Sequence, residues 1–150
     1  MADVHILFVC HGNICRSPMA EFVMKDAVEK AGRSAEFYIE SAAVSSEEIG
    51  NPVYPPARRL LAAHGIDCTG KTARRIRPED YEKFDLIIGM DNSNMVRLRR
   101  FFPEDPAGKI VRLLDLTDAP GEVDDPWYSG DFDQTYREVL AGVQALLAKY

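Results

Sequence analysis
The sequence predicts a single α/β domain built around a parallel sheet, and three observations carry that prediction. Short runs of apolar β-formers alternate along the chain with segments of helical periodicity, a pattern that right-handed crossovers turn into a parallel sheet. The first run, Val4-His5-Ile6-Leu7-Phe8-Val9-Cys10, does not alternate between apolar and polar, as expected for a strand buried on both faces. The chain has 150 residues, 46% of them hydrophobic and 28% charged, enough for one core without disulfides or metal.

The elements follow in order. His11-Gly12-Asn13 is a turn signal ending the first strand. Pro18 suits the first turn of a helix whose Met19, Phe22, Val23 and Ala27 share a face, and Gly32 stops it. Phe37-Tyr38-Ile39 reads as a second strand. Pro55-Pro56 opens a helix with Ala57, Leu60, Leu61 and His64 on one side, ended by Gly65. Leu86-Ile87-Ile88 is a third buried strand. Asn92-Ser93-Asn94 offers caps for a helix carrying Met95, Leu98 and Phe102, and Ile110-Val111 begins a fourth strand. Leu114 to Asp131 is turn-rich and acidic. The last helix keeps Phe132, Tyr136, Val139, Leu140, Val143, Leu146, Leu147 and Tyr150 on one face. With no repeat or linker between these segments, residues 1–150 read as one domain.

Charge and cysteines narrow the function. Eighteen basic against 24 acidic residues give a net charge of −6, which argues against a general nucleic-acid or membrane-surface binder. No apolar run approaches the ~20 residues of a membrane span. The start, Met1-Ala2-Asp3-Val4-His5, lacks the basic lead of a signal peptide. Three cysteines (Cys10, Cys15, Cys68) without an export signal predict free thiols in a reducing cytoplasm. Their spacing from His5, His11 and His64 does not resemble a zinc finger or ribbon, and an arginine in the loop would repel a cation, so neither metal nor cofactor is expected.

In such sheets ligands sit at the carboxyl ends of strands, so the loop after the first strand draws attention. It reads Cys10-His11-Gly12-Asn13-Ile14-Cys15-Arg16-Ser17. Gly12 and Asn13 are the residue types that most readily take positive φ, so the loop can curl and turn successive N–H groups inward as an anion nest at a helix start. Arg16 can grip two oxygens of a tetrahedral anion. In that setting the Cys10 thiol is expected to ionise below the ~8.5 of a free cysteine. Its thiolate could attack phosphorus to form a phosphocysteine, with Ser17 donating to the sulfur. Ester cleavage then needs an acid from another loop; among the residues themselves Asp115, Asp118, Asp124 and Asp125 all qualify.

Residues 9 to 21, Val-Cys-His-Gly-Asn-Ile-Cys-Arg-Ser-Pro-Met-Ala-Glu, resemble the signature of low-molecular-weight protein tyrosine phosphatases. The resemblance extends through Ser41-Ala42-Ala43-Val44, His64-Gly65-Ile66, Ala73-Arg74, Met90-Asp91-Asn92-Ser93-Asn94 and Asp125-Pro126-Trp127-Tyr128. It implies a four-stranded parallel sheet flanked by helices and metal-free hydrolysis of phosphotyrosine in protein substrates, with inorganic phosphate as product. It further implies Cys10 as nucleophile, Arg16 as phosphate ligand and Asp125 as general acid and then base. Substrate contacts would come from His11, Gly12, Asn13, Ile14, Cys15, Ser17, Trp127, Tyr128 and Glu47. Asn13, Ser17 and Ser41 would support the loop, and Cys15 would be a reversible redox partner of Cys10. A monomer with at most weak self-association is expected.

Two positions depart from the resemblance. Lys71 stands where many relatives carry a histidine that positions the loop asparagine, and lysine accepts no hydrogen bond. Glu47 stands where several place an aromatic, and an acid there should discourage acidic flanks. Asp91 and Ser93 are explained by capping. Arg74-Arg75 and Arg97-Arg99-Arg100 read as solvated faces able to recruit acidic partners. An arsenate reductase would need cysteines beyond Cys68 to relay a disulfide. A protein-arginine phosphatase would more often carry threonine at Ile14, and a phosphate-binding module would need neither Cys10 nor Asp125.

Overall fold
The computed structural model describes residues 2–150. Four parallel strands, β1 (Val4–Cys10), β2 (Phe37–Ala43), β3 (Leu86–Gly89) and β4 (Ile110–Arg112), lie in the order β2-β1-β3-β4. Six helices accompany them: α1 (Arg16–Lys30), α2 (Pro55–Ala63), α3 (Asp80–Lys83), α4 (Asn92–Phe101), α5 (Pro126–Ser129) and α6 (Phe132–Lys149). The α/β class, the parallel sheet and the flanking helices are as the sequence predicts.

The lack of alternation in β1 has its expected cause. Ile6, Phe8 and Cys10 join the core formed with α1, α2 and α6, whereas Leu7 and Val9 join Phe84, Leu98, Phe102 and Ile110 on the opposite face. Burial on both faces makes β1 the rigid centre of the sheet, and it ends at Cys10. The order of strands reverses direction beside β1, so the loop leaving Cys10 opens at the switch point where ligands bind in open α/β sheets.

Several boundaries differ from expectation. β2 runs on through Glu40 and Ser41 to Ala43, because the fully buried Ser41 serves the neighbouring loop rather than the apolar core. α1 begins at Arg16, two residues before Pro18, so Arg16 and Ser17 belong to its first turn. Of the caps the sequence offers, Asp91 is the one that α4 uses, as expected, and Asn92, Ser93 and Asn94 are not: the Asp91 Oδ1 accepts from the Asn94 N–H at 2.8 Å. The turn-rich segment contains α5, with Asp125 as its cap. On α6 the inner face also includes Thr135 and Gly142. A Cβ at Gly142 would lie 2.4 Å from Leu113 Cγ, so only glycine permits that approach. His64 and Tyr150 lie outside their helices; His64 is exposed and stacks on Tyr136 with centroids 4.0 Å apart.

Candidate active site
The loop from Cys10 to Ser17 is curved by one residue. Asn13 has φ +59°, the single non-glycine positive value among the described residues, while Gly12 does not enter that region. The expectation that both would curl the loop is corrected here. Gly12 instead keeps the approach of the Glu48 side chain unstrained: a Cβ there would meet Glu48 Cγ at 3.2 Å, and Glu48 would have to shift. The Asn13 N–H points at the sulfur, donating to Cys10 Sγ at 3.3 Å. The N–H groups of Gly12, Ile14, Cys15, Arg16 and Ser17 donate to no protein acceptor among the described residues. They cluster beside the first turn of a fifteen-residue helix, the arrangement that favours an anion.

Side-chain hydrogen bonds fix which group donates to the sulfur. Asn13 Oδ1 accepts from the Arg74 backbone N–H at 3.1 Å, so its Nδ2 must face the two hydroxyls. Nδ2 donates to Ser17 Oγ at 2.8 Å and to Ser41 Oγ at 2.9 Å. The Ser41 hydroxyl in turn donates to Glu21 Oε1 at 2.5 Å. Ser17 Oγ, already accepting from Asn13, has its own hydrogen left, and Cys10 Sγ lies 3.0 Å away against 3.5 Å for the Ala42 carbonyl. The network therefore presents Ser17 as donor and the sulfur as acceptor.

Glu21 and Lys71 anchor the far end of this chain. The buried Glu21 carboxylate accepts from Lys25 Nζ at 2.6 Å and lies 3.6 Å from Lys71 Nζ. Lys71 Nζ also donates to the Ser41 carbonyl at 3.0 Å. Burial pulls the Lys71 pKa below its ordinary value against the attraction of Glu21. The support expected from a hydrogen-bond acceptor at this position is thus rebuilt by a cation that grips Glu21 and the β2 backbone. Glu21 escaped the sequence reading; a lone acid four residues before Lys25 looks like a solvated helix pair.

Arg16 is 3% exposed and aimed into the pocket by three acceptors. Its Nη1 donates to Asp91 Oδ2 at 2.8 Å and to the Val123 carbonyl at 3.1 Å, and its Nη2 donates to Asp125 Oδ2 at 3.3 Å. Burial opposes its charge, but Cys10, the Asp91 hydrogen bond and Asp125 outweigh burial and hold the guanidinium pKa above its ordinary value. Asp91 therefore caps α4 with one oxygen and orients Arg16 with the other. Capping accounted for it in sequence, and only the fold reveals the second role.

The pocket over this loop holds about 550 Å³. Cys10, His11, Gly12, Ile14, Cys15 and Arg16 line its floor, and Glu47, Asp125, Trp127 and Tyr128 stand around it. Asn13, Ser17 and Ser41 lie behind the floor, fully or nearly fully buried. Asp125 Oδ1 accepts from the Trp127 N–H at 3.1 Å, which orients the carboxyl. Asp115 and Asp118 do not line the pocket, and Asp124 turns away to accept from Ser129 Oγ at 2.5 Å. Trp127 packs against Tyr54 with centroids 5.0 Å apart, and Tyr54 stacks on Phe132 at 6.1 Å. Tyr54 was not anticipated. His11 Nε2 pairs with Glu47 Oε2 at 2.8 Å on the rim. The three cysteines are free and buried. Burial, with Cys10 and Asp125 adding to it, pushes the Cys15 thiol from 9.0 up to about 12.

The fold and this pocket define the class: an α/β protein with a loop of unpartnered N–H groups and a buried sulfur at the carboxyl end of its central strand. The model of the family described as low molecular weight phosphotyrosine protein phosphatase matches residues 5–150. The chain is 37% identical over 147 residues to the low molecular weight protein-tyrosine-phosphatase YfkJ of Bacillus subtilis, covering 97% of this chain and 94% of that protein. The crystal structure of YfkJ matches with a TM-score of 0.95 at 36% identity, covering 99% of this chain and 95% of the other. A low molecular weight phosphotyrosine protein phosphatase 2 of Drosophila melanogaster is 40% identical over 138 residues, covering 89% and 84%. The low molecular weight protein tyrosine phosphatase SP-PTP of Streptococcus pyogenes matches with a TM-score of 0.85 at 40% identity, covering 97% and 92%. The chain belongs to the low molecular weight phosphotyrosine protein phosphatase family, a family of phosphoric monoester hydrolases.

Proposed function
We propose that this chain, one phosphatase domain over residues 1–150, hydrolyses phosphotyrosine in proteins, and small aryl phosphates, through a phosphocysteine on Cys10. One observation carries the reading: Cys10 Sγ sits within hydrogen-bond reach of both Ser17 Oγ and the Asn13 N–H, on the floor of a pocket that Arg16 and Asp125 also line. Two donors within reach of the sulfur suit a nucleophile that must then leave, the two roles a two-step phosphoryl transfer asks of it in turn.

The steps balance without a co-reactant beyond water. The phosphate oxygens sit on the Arg16 guanidinium and the unpartnered loop N–H groups. The Cys10 thiolate forms a bond to phosphorus while the bond to the tyrosyl oxygen breaks, and that oxygen takes the proton of Asp125. Water then attacks phosphorus, the S–P bond breaks with its electron pair returning to sulfur, and Asp125 takes the proton of the water. Inorganic phosphate departs. Substrate entry replaces the Asp125–Arg16 pair with phosphate–Arg16 contacts and frees the carboxyl to carry its proton toward the leaving group. Trp127, Tyr128 and the apolar Ile14 supply the walls against which an aromatic ring packs.

Cys15 is the reversible redox partner in this reading. A Cys10 sulfenic acid would condense with the Cys15 thiol to a disulfide and water. Burial is the main cause that holds the Cys15 proton, with the neighbouring Cys10 adding to it. Three free thiols fit a reducing cytoplasm, and no described helix is long and apolar enough to cross a membrane.

Phosphate release from phosphotyrosine, phosphoserine and phosphoarginine peptides, each compared with the Cys10→Ser variant, tests the reading. Phosphotyrosine is expected to turn over fastest. Cys10→Ser should lose at least about 10⁴-fold in kcat while still binding inorganic phosphate, because every anion donor remains. Turnover by Cys10→Ser, or a preference for phosphoserine or phosphoarginine, would overturn it.

A further inference from the structure
We propose that the pocket mouth is electrically two-sided, and that Arg97 on one side and Glu47 with Glu48 on the other select phosphotyrosine peptides whose flanks carry opposite charges. The inference rests on the phosphotyrosine reading above and specifies its substrate class.

The sheet order supplies the geometry. β1 lies between β2 and β3, so the segments leaving the carboxyl ends of β2 and β3 stand on opposite sides of the loop leaving β1. The segment after β2 brings Glu47 and Glu48 to the pocket, and the start of α4 after β3 brings Ser93 and Arg97. With strands about 4.8 Å apart, β2 and β3 are separated by roughly 10 Å, the length of about three extended residues. A peptide that lowers its phosphotyrosine onto Cys10 and crosses the strands therefore carries neighbouring side chains past both sets of charges.

The charges are free to act on a ligand. Among the described residues the side chain of Glu47, 68% exposed, meets His11 alone, and Glu48 accepts from Asn51 Nδ2 at 2.5 Å and forms no ion pair. Arg97 is exposed and forms no ion pair or side-chain hydrogen bond among the described residues. The acid that caps its helix, Asp91, is already bound to Arg16. Arg100, one turn further along α4, extends the positive strip away from the mouth. The chain as a whole is negative and repels acidic peptides, so Arg97 makes one side of the mouth a local exception. Complementary flanking charges act on encounter and orientation of the peptide and leave the bond-breaking step alone.

The test uses the full chain and four phosphotyrosine peptides that differ in flanking charge alone: lysines before and aspartates after the phosphotyrosine, the reverse, aspartates on both sides, and lysines on both sides. One of the two split-charge peptides is expected to exceed both uniform peptides by about three- to tenfold in kcat/KM, with the reversed peptide poorest. The spread should collapse at high ionic strength. Arg97→Glu should move the optimum to the peptide with lysines on both sides, and the double variant Glu47→Lys, Glu48→Lys should move it to the peptide with aspartates on both sides. Rankings are ratios within one preparation, so a smaller folded fraction does not disturb them. Equal kcat/KM for all four peptides, or an unchanged ranking in Arg97→Glu, would overturn the inference while leaving phosphotyrosine hydrolysis intact. Failure of all four peptides to release phosphate would overturn the phosphotyrosine reading, and this inference with it.

Discussion

Two segments meet at the pocket and are held in opposite ways. From Cys10 to Ser17 the chain is locked: Asn13, Arg16 and Ser17 are 1%, 3% and 0% exposed, and each of their side chains is held by hydrogen bonds to the protein, with Arg16 keeping donors to spare. From Asp125 to Tyr128 the chain is a short turn of helix with Trp127 54% and Tyr128 86% exposed. The locked side carries the sulfur and the anion donors, whose worth depends on being in place before the phosphate arrives. In the proposed reaction the open side supplies the proton donor and the aromatic wall, which must admit a substrate and release a product. Damage on the locked side should therefore reach both stability and chemistry, and damage on the open side mainly chemistry.

The sharpest break comes from the open side. Asp125→Ala should lower kcat by about 10²–10⁴-fold for aryl phosphates with poor leaving groups, and far less for activated ones that need no proton. The chain should stay folded, losing only about 0.5–2 kcal/mol with the α5 cap, as a thermal melt would show. Equal loss for both kinds of ester would remove Asp125 from the acid role.

Asn13→Ala probes the locked side. It strands the hydroxyls of Ser17 and Ser41 and the Arg74 N–H, and places alanine at positive φ. A loss of about 2–4 kcal/mol in stability is expected by denaturant titration, together with about a tenfold fall in kcat. Loss of activity with full stability would contradict a shared network.

Trp127→Ala separates binding from chemistry on the open side. It should raise KM for aryl phosphates by about three- to tenfold and leave the melting temperature unchanged. Cys15 gives the smallest effect. Its thiol keeps its proton up to about 12 in the folded chain, against 9.0 as the ordinary value. Because the folded pKa is raised, the associated stability is fully present below pH 9 and is lost as pH rises toward 12. The stability difference between the wild type and Cys15→Ala, measured at pH 8 and again at pH 11, should shrink at the higher pH.

The same contrast explains how much the sequence disclosed. β1 and the loop after it were legible because a continuously apolar strand, a turn signal and an anion-binding loop leave dense local marks. The supports behind the loop were half legible. Ser41 and Asn13 were expected from resemblance, but Glu21 and Lys71 meet across elements with fifty residues between them, which no local pattern encodes. Asp91 was hidden for another reason: capping already explained it, and its second oxygen acquires a partner only when β1 and β3 become neighbours. Thr135 and Gly142 fell outside the apolar stripe of α6 because one is polar and the other small, yet the close approach of Leu113 requires the smallest residue there.

The account's central claim is a covalent bond between Cys10 and phosphorus. The full chain mixed with a radiolabelled aryl phosphate that has a good leaving group, quenched in denaturant during the first turnover, digested and mapped by mass spectrometry, tests it most directly. The account predicts a phosphoryl group on the peptide containing Cys10, accumulating further in Asp125→Asn, whose intermediate waits longer for activated water, and absent from Cys10→Ser. Product release in that turnover with no phosphoryl group on Cys10, or with the label on another residue, would contradict it.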